Sequence, residues 1–306
     1  MVLTTPEGAA AGQNIRGSQL TLKQAITVAQ TIYATQASTQ ADIDKANADL
    51  AAAVAVFKSQ KVAGVDLPNL AGHWTLDEIS DSGEDAVVKD YSGNKRDGAV
   101  KIGHVFWGRG TPTLGTDRYN VWGKCLHFTQ GANIEVPYDA DFNKPTISIS
   151  LWFRAEINDP IVAGQYAVSL GRFTGYNVQF DGGPATVFAF NSSESPGTTV
   201  SLSSETVLSQ NTWRHLVVTY GNGHAMFYVN GALVKDVASN KTIVTQSSVN
   251  LVFAQDLPTG KYSSDGSSPF YVNTGGYFAG YLDEIRIYKS VLTPEQVAAI
   301  YTIEKP

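Results

Sequence analysis

The sequence predicts a mainly β protein, an antiparallel sandwich or barrel, preceded by a pair of antiparallel helices. Three observations carry this. From about residue 71 onward, short runs rich in Val, Ile, Phe, Tyr and Trp are separated by clusters of Gly, Asn, Asp and Ser. Two of the breaks, Tyr220-Gly221-Asn222-Gly223-His224 and Asn230-Gly231, have the residues of tight hairpin turns, which tolerate positive φ. Before residue 62, apolar residues instead recur at helical spacing.

In chain order, residues 1 to 18 read as an irregular lead-in. Leu22, Ile26, Ala29 and Tyr33 then line one face of a first helix ending near Ala34. Thr39 followed by Asp42 opens a second helix, continued by Ile43, Ala46, Leu50, Val54 and Phe57. The short connection makes the two antiparallel neighbours, and two helices bury too little to stand alone. The expected organisation is a helical hairpin over 1–62, a linker over 63–70 with Gly64 and Pro68, and a β domain over 71–306.

The strands expected are 73–76, 124–128, 146–154, 166–170, 177–180, 186–190, 213–220, 225–229, 232–237 and 280–288. The two hairpin turns make 213–237 a three-stranded meander. Thr293-Pro294-Glu295-Gln296 opens a closing helix, with Thr293 as cap, Pro294 in the first turn and Gln296 placed for a capping box. Val297, Ile300 and Tyr301 would pin that helix to the sandwich. The run 280–288 holds one misplaced charge: strict alternation sets Asp283 on the same face as Ile285 and Ile287. An unpaired buried carboxylate is costly, so Asp283 is expected at the rim, paired with donors or holding a cation.

Composition narrows the function. With 16% charged residues, a net charge of −6 and no basic cluster, the chain does not suit nucleic acid or an anionic membrane surface. A glycan, small-molecule or protein partner fits better. One cysteine, Cys125, excludes an internal disulfide, and no apolar run approaches the ~20 residues of a membrane span. The first residues lack the parts of a signal peptide, so any targeting signal is expected upstream of Met1, and the Ser, Thr, Gly, Asn and Tyr content suits an extracellular or cell-surface protein.

Several motifs together resemble a known family. Trp74-Thr75-Leu76-Asp77-Glu78, Asp90-Tyr91-Ser92-Gly93-Asn94, Gly123-Lys124-Cys125-Leu126-His127-Phe128, Ile147 to Arg154, Trp213 to Tyr220, Tyr228-Val229-Asn230-Gly231 and Gly280 to Tyr288 stand in the order seen in laminin-G-like members of the concanavalin A-like lectin/glucanase superfamily. The resemblance implies a jelly-roll sandwich of two antiparallel sheets over about residues 70 to 302. It also implies a structural calcium, with Asp90, Asn94 and Asp283 as the ligands and Asp97 as an alternative to Asn94. Calcium takes six to eight hard oxygens, which would account for the charge on the last strand. The alternative is that Asp283 caps backbone N–H groups and Asp90 to Asn94 is an Asx-type turn. The helical segment, with Ala34-Thr35-Gln36-Ala37-Ser38-Thr39-Gln40-Ala41-Asp42-Ile43-Asp44, resembles the modules named "found in various architectures" in bacterial surface proteins, which implies a spacer.

Catalysis is not expected. Glycan-cleaving enzymes use two nearby carboxylates, and neither the Glu-x-Asp-x-(x)-Glu run of laminarinase-type members nor the lyase signatures occur. The five histidines are scattered through strands and turns, where structural roles predominate. Binding is left. Trp74, Trp152 and Trp213 read as core. The ligand candidates lie on two insertions: Trp107, Arg109 and Trp122 around 108–121, and Tyr262, Phe270 and Tyr271 within 254–277. Those aromatics either contact a ligand or pin their own loops. The expectation is a non-catalytic carbohydrate-binding or adhesion module of a bacterial glycan-utilisation or attachment system, with a protein-interaction module as the alternative and an atypical hydrolase or lyase as a distant one.

Overall fold

In the computed structural model the described residues are 7, 13–14, 17–60, 65–79, 83–156, 164–172, 174–181, 185–194, 199–205, 211–244, 248–273 and 275–306. Most of the expected lead-in, residues 61–62 at the end of the expected helical region and residues 63–64 of the expected linker lie outside them. The chain divides into two compact units, Met1–Val65 and Asp66–Pro306.

The first unit contains α1 (Ser18–Ala34) and α2 (Gln40–Ser59), packed against each other. The capping box at the start of α2 forms as expected: Asp42 N–H donates to Thr39 Oγ1, and Thr39 N–H donates to the Asp42 carboxylate. Leu22, Ala46 and Phe57 are buried, but Tyr33 is 81% exposed. The α1 stripe therefore continues through the partly buried Ile32 rather than Tyr33.

The second unit holds sixteen strands among the described residues. In chain order they are β1 (Leu70–Trp74), β2 (Val87–Val88), β3 (Gly98–Lys101), β4 (Thr113–Thr116), β5 (Trp122–Phe128), β6 (Asn133–Val136), β7 (Ile147–Ala155), β8 (Gln165–Ser169), β9 (Tyr176–Asp181), β10 (Ala185–Asn191), β11 (Thr199–Ser203), β12 (Arg214–Gly221), β13 (His224–Val229), β14 (Ala232–Ala238), β15 (Leu251–Phe253) and β16 (Gly280–Tyr288). They form two eight-stranded sheets. The first runs β14-β13-β12-β7-β16-β5-β4, with β1 also on β16; the second runs β11-β10-β9-β8-β15-β6-β3-β2. This is the expected two-sheet antiparallel jelly-roll sandwich. Its core comprises alternate residues of facing strands, among them Ile149, Leu151, Phe153, Leu282, Ile285 and Ile287 from the first sheet and Val168, Val178, Phe188, Phe190 and Phe253 from the second.

Both expected hairpins form. Asn222 and Gly223 have φ of 54° and 81°, Asn230 and Gly231 of 50° and 79°, and these positive values suit the twist of β12, β13 and β14. Short strands were not legible: β2, β3, β4, β6, β11 and β15 have two to five residues each, too few to show a period. The insertion 108–121 is thus not all loop, since it contains β4, which pairs with β5 beyond it.

The expected faces of the last strand are corrected. Asp283 lies opposite Trp152 and Arg286 opposite Ser150, so four residues of β16 span three of β7. That extra residue is a β-bulge, and Glu284 at φ 51° makes the turn. Leu282 and Ile285 consequently both face the core, while Asp283 and Glu284 join an ionic network of other composition.

Arg118 and Arg286 meet Asp283, Glu284 and Glu304 in that network. Arg118 pairs with Asp283, donates from Nε to the backbone carbonyl of Glu304 at 2.7 Å, and lies over the Trp152 ring. His73 Nε2 contacts Glu284 at 2.8 Å, Arg286 pairs with Glu304 and Glu284, and Trp152 Nε1 donates to Glu304 at 2.7 Å. The lid is α3 (Pro294–Glu304), which starts with the expected Thr293 capping box. Val297 and Ile300 are buried under it, and Tyr301 stacks on Trp152 and His215. Burial and the Arg286 charge hold His73 down at about 4, and burial with Arg286 and Arg118 holds His215 at about 3. Burial raises Glu304 to about 7, whereas Glu284, despite burial, is held at about 2 by the His73 hydrogen bond and Arg286.

Candidate ligand-binding groove

Alternation on the second sheet sends Val178, Phe180 and Phe188 inward and Asn177, Gln179 and Ala189 outward. The outward residues form the floor of a groove of about 420 Å³. Tyr166 and Arg172 stand on one side. The segment with Asp256, Pro269, Tyr271, Asn273 and Gly276 forms the other. The volume lies within the ~300–1,000 Å³ usual for small-molecule sites.

That second wall has its own small core. Trp107 is 4% exposed and packs with Val272, Tyr277, Ala279 and Tyr262. Its ring meets Tyr262 edge-on at 4.9 Å, and its Nε1 donates to the Asn273 carbonyl at 2.8 Å. Arg172 ties this wall to the sheet, donating from Nε to Asp256 at 2.6 Å and from Nη1 to the carbonyls of Pro269 and Tyr271, each at 3.1 Å. The Tyr262 hydroxyl donates to the other Asp256 oxygen. Burial raises the Asp256 carboxyl above its ordinary value, although Arg172 and Tyr262 draw it down. Gly276, at φ 109°, has its Cβ position 3.2 Å from Trp107 and 3.3 Å from Asp256, so a side chain there would press on both supports.

The structure separates the six ligand candidates. Tyr271, 38% exposed, lines the groove, and Phe270, 39% exposed, is its neighbour. Trp107 and Tyr262 pin the loop, because their rings pack against each other and the Tyr262 hydroxyl is engaged by Asp256. Trp122 is 72% exposed on β5 of the other sheet, and Arg109 sits at φ 61° after the Val105–Trp107 turn; neither lines the groove. Sequence reasoning missed Tyr166, Arg172, Asn177 and Gln179. The polar residues alternating with Val178 and Phe180 were a usable signal for the floor; Arg172 had none.

The proposed calcium ligands have other partners. Asp90 accepts the backbone N–H groups of His73, Ser92 and Arg96 at 3.0, 2.8 and 2.9 Å, and the Ser92 hydroxyl at 2.8 Å. Asn94 Nδ2 donates to the carbonyls of Leu70 and Ala71, and Asp283 is held by Arg118. Among the described residues no group of three or more His, Cys, Asp or Glu is arranged to hold a metal ion. With Asp90 occupied by N–H groups and Asp283 by a guanidinium, the two carboxylates do not fit calcium. EDTA is therefore expected to leave the melting temperature unchanged; a fall of several degrees would restore the metal.

A family model described as the concanavalin A-like lectin/glucanases superfamily, laminin G type, matches residues 128–298. The chain belongs to this superfamily. Comparison with curated proteins gives no match. Among solved structures, the chain is similar to domain 4 of AbnA, a GH43 extracellular arabinanase from Geobacillus stearothermophilus, solved with arabinotriose: 18% identity, TM-score 0.54, 76% of this chain and 98% of that one. The binding domain of Paraclostridial Mosquitocidal Protein 1 matches at 20% identity and TM-score 0.54, over 77% of this chain and 52% of that one. The binding domain of botulinum neurotoxin DC, solved with rat synaptotagmin II, matches at 11% identity and TM-score 0.53, again over 77% and 52%. The chain thus spans about half the length of the toxin binding domains. At these identities the likeness is one of fold. Among the described residues no helix is long and apolar enough to cross a membrane.

Proposed function

We propose that the unit Asp66–Pro306 is a non-catalytic carbohydrate-binding or adhesion module, with its ligand in the groove over β8 to β11. The observation that carries this reading is the lining: two tyrosines, Tyr166 and Tyr271, beside the amides of Asn177, Gln179 and Asn273. Aromatic rings offer faces to sugar C–H groups, and amides both donate to and accept from hydroxyls. Asp256 is the one carboxylate among the described lining residues, and Arg172 and Tyr262 engage it. Glycoside hydrolysis uses a pair, so this favours binding over cleavage. The arabinotriose complex of the arabinanase domain supports the reading by analogy.

The setting that suits such a module is an exported or cell-surface bacterial protein engaged in glycan use or attachment, with the helical unit as spacer. A protein-interaction role has one observation in its favour: Trp122 on β5 is 72% exposed, and Val121 just before it and Leu114 on the paired β4 are exposed as well. A glycan array probed with the full chain, with and without EDTA, is expected to show binding in both conditions. Silence on the array would overturn the carbohydrate reading and leave the protein-partner one.

A further inference from the structure

We infer that the groove selects neutral glycan segments and discriminates against chains carrying uronate, sialate or sulfate groups, with Arg172 acting as a strut and Asn177 reading a sugar hydroxyl. This rests on the carbohydrate reading above and adds the class of sugar. A site for an acidic sugar needs a cation whose donors face the ligand. Arg172 is the one cation among the described lining residues, and Nε and Nη1 are directed at Asp256 and at two loop carbonyls. Its charge is offset by Asp256, 1% exposed, to which Nε donates. An anionic ligand would therefore enter beside a buried carboxylate and lose its hydration without gaining an opposite charge.

The remaining polar lining suits hydroxyls. Asn177 is 5% exposed, and its Oδ1 has no hydrogen-bond partner. Such acceptors are seldom left unpaired. A sugar hydroxyl donating there, or to the carboxamide after a flip, would supply the partner, while Gln179 across the floor can donate or accept.

The test measures binding of the full chain to neutral oligosaccharides and to uronate-containing, sialylated and sulfated oligosaccharides of matching length. Neutral chains are expected to bind at least tenfold more tightly at moderate salt. Asn177→Leu, of similar size, is expected to weaken the neutral ligand at least fivefold, and Gln179→Lys to narrow the gap between acidic and neutral chains. Acidic chains binding as well as or better than neutral ones would overturn this inference and leave the carbohydrate reading standing. No binding of either class overturns both. Should Asn177→Leu fail to fold, the wild-type comparison still decides the matter.

Discussion

Replacing Arg118 by leucine is expected to cost about 3–5 kcal/mol, the range seen when one partner of a buried ion pair is removed. Arg118 and its partners Asp283 and Glu284 have side chains with no solvent exposure, so neither carboxylate can recover by hydration. The variant also loses the hydrogen bond to the Glu304 carbonyl that ties α3 to the network. Urea unfolding should show a lower midpoint at unchanged slope. Lys235→Ala is the control: Lys235 pairs with Glu205 at the surface, their side chains 37% and 71% exposed, and its loss should cost less than about 1 kcal/mol. If Arg118→Leu also stayed within about 1 kcal/mol of the parent, the network would not have the role assigned to it.

The same network should make the fold acid-labile. His73 and His215 have folded pKa values near 4 and 3 against an ordinary 6.5. Their contribution is therefore complete above pH 6.5 and is lost as pH falls towards those values, because the unfolded chain takes up protons that the folded one refuses. Glu304 acts in the opposite sense. Raised from 4.5 to about 7, it stabilises below pH 4.5, and that stabilisation is lost as pH rises through 7. Between pH 6.5 and 4.5 the two histidines act against the raised carboxyls of Glu304 and Asp256, and with both imidazoles excluded from protonation in the fold, stability should fall on acidification. The fall should steepen below 4.5, where Glu304 no longer compensates and Glu284, held at about 2, begins to contribute. His73→Gln, whose amide nitrogen falls near the position of Nε2 and can still donate to Glu284, should make the slope between pH 6.5 and 4.5 shallower. Denaturant melts at half-unit pH steps will show it; an unaltered slope would contradict the assignment.

How much of this was legible in the sequence varied with distance along the chain. Local signals were reliable: the Asn222-Gly223 and Asn230-Gly231 turns and the Thr39 and Thr293 caps form as read. The fold followed from long alternating runs and motif order. The last strand was misread because strict alternation has no place for a bulge, and only the pairing with β7 reveals Glu284 as the extra residue. Asp283 was correctly marked as needing a partner. That partner, Arg118, is 165 positions away in a stretch read as a Gly-rich loop. The groove was half visible: Tyr271 was singled out, but the amides that line its floor passed as ordinary strand residues.

The central claim, that the groove over β8 to β11 holds a glycan, is tested most directly by calorimetric titration of a glycan identified on the array into wild type, Tyr271→Ala and Trp122→Ala. Tyr271→Ala is expected to weaken binding about tenfold or more, that is by at least ~1.4 kcal/mol, with an unchanged melting temperature, and Trp122→Ala to bind as wild type does. Full affinity in Tyr271→Ala together with loss in Trp122→Ala would contradict it and move the site to the other sheet.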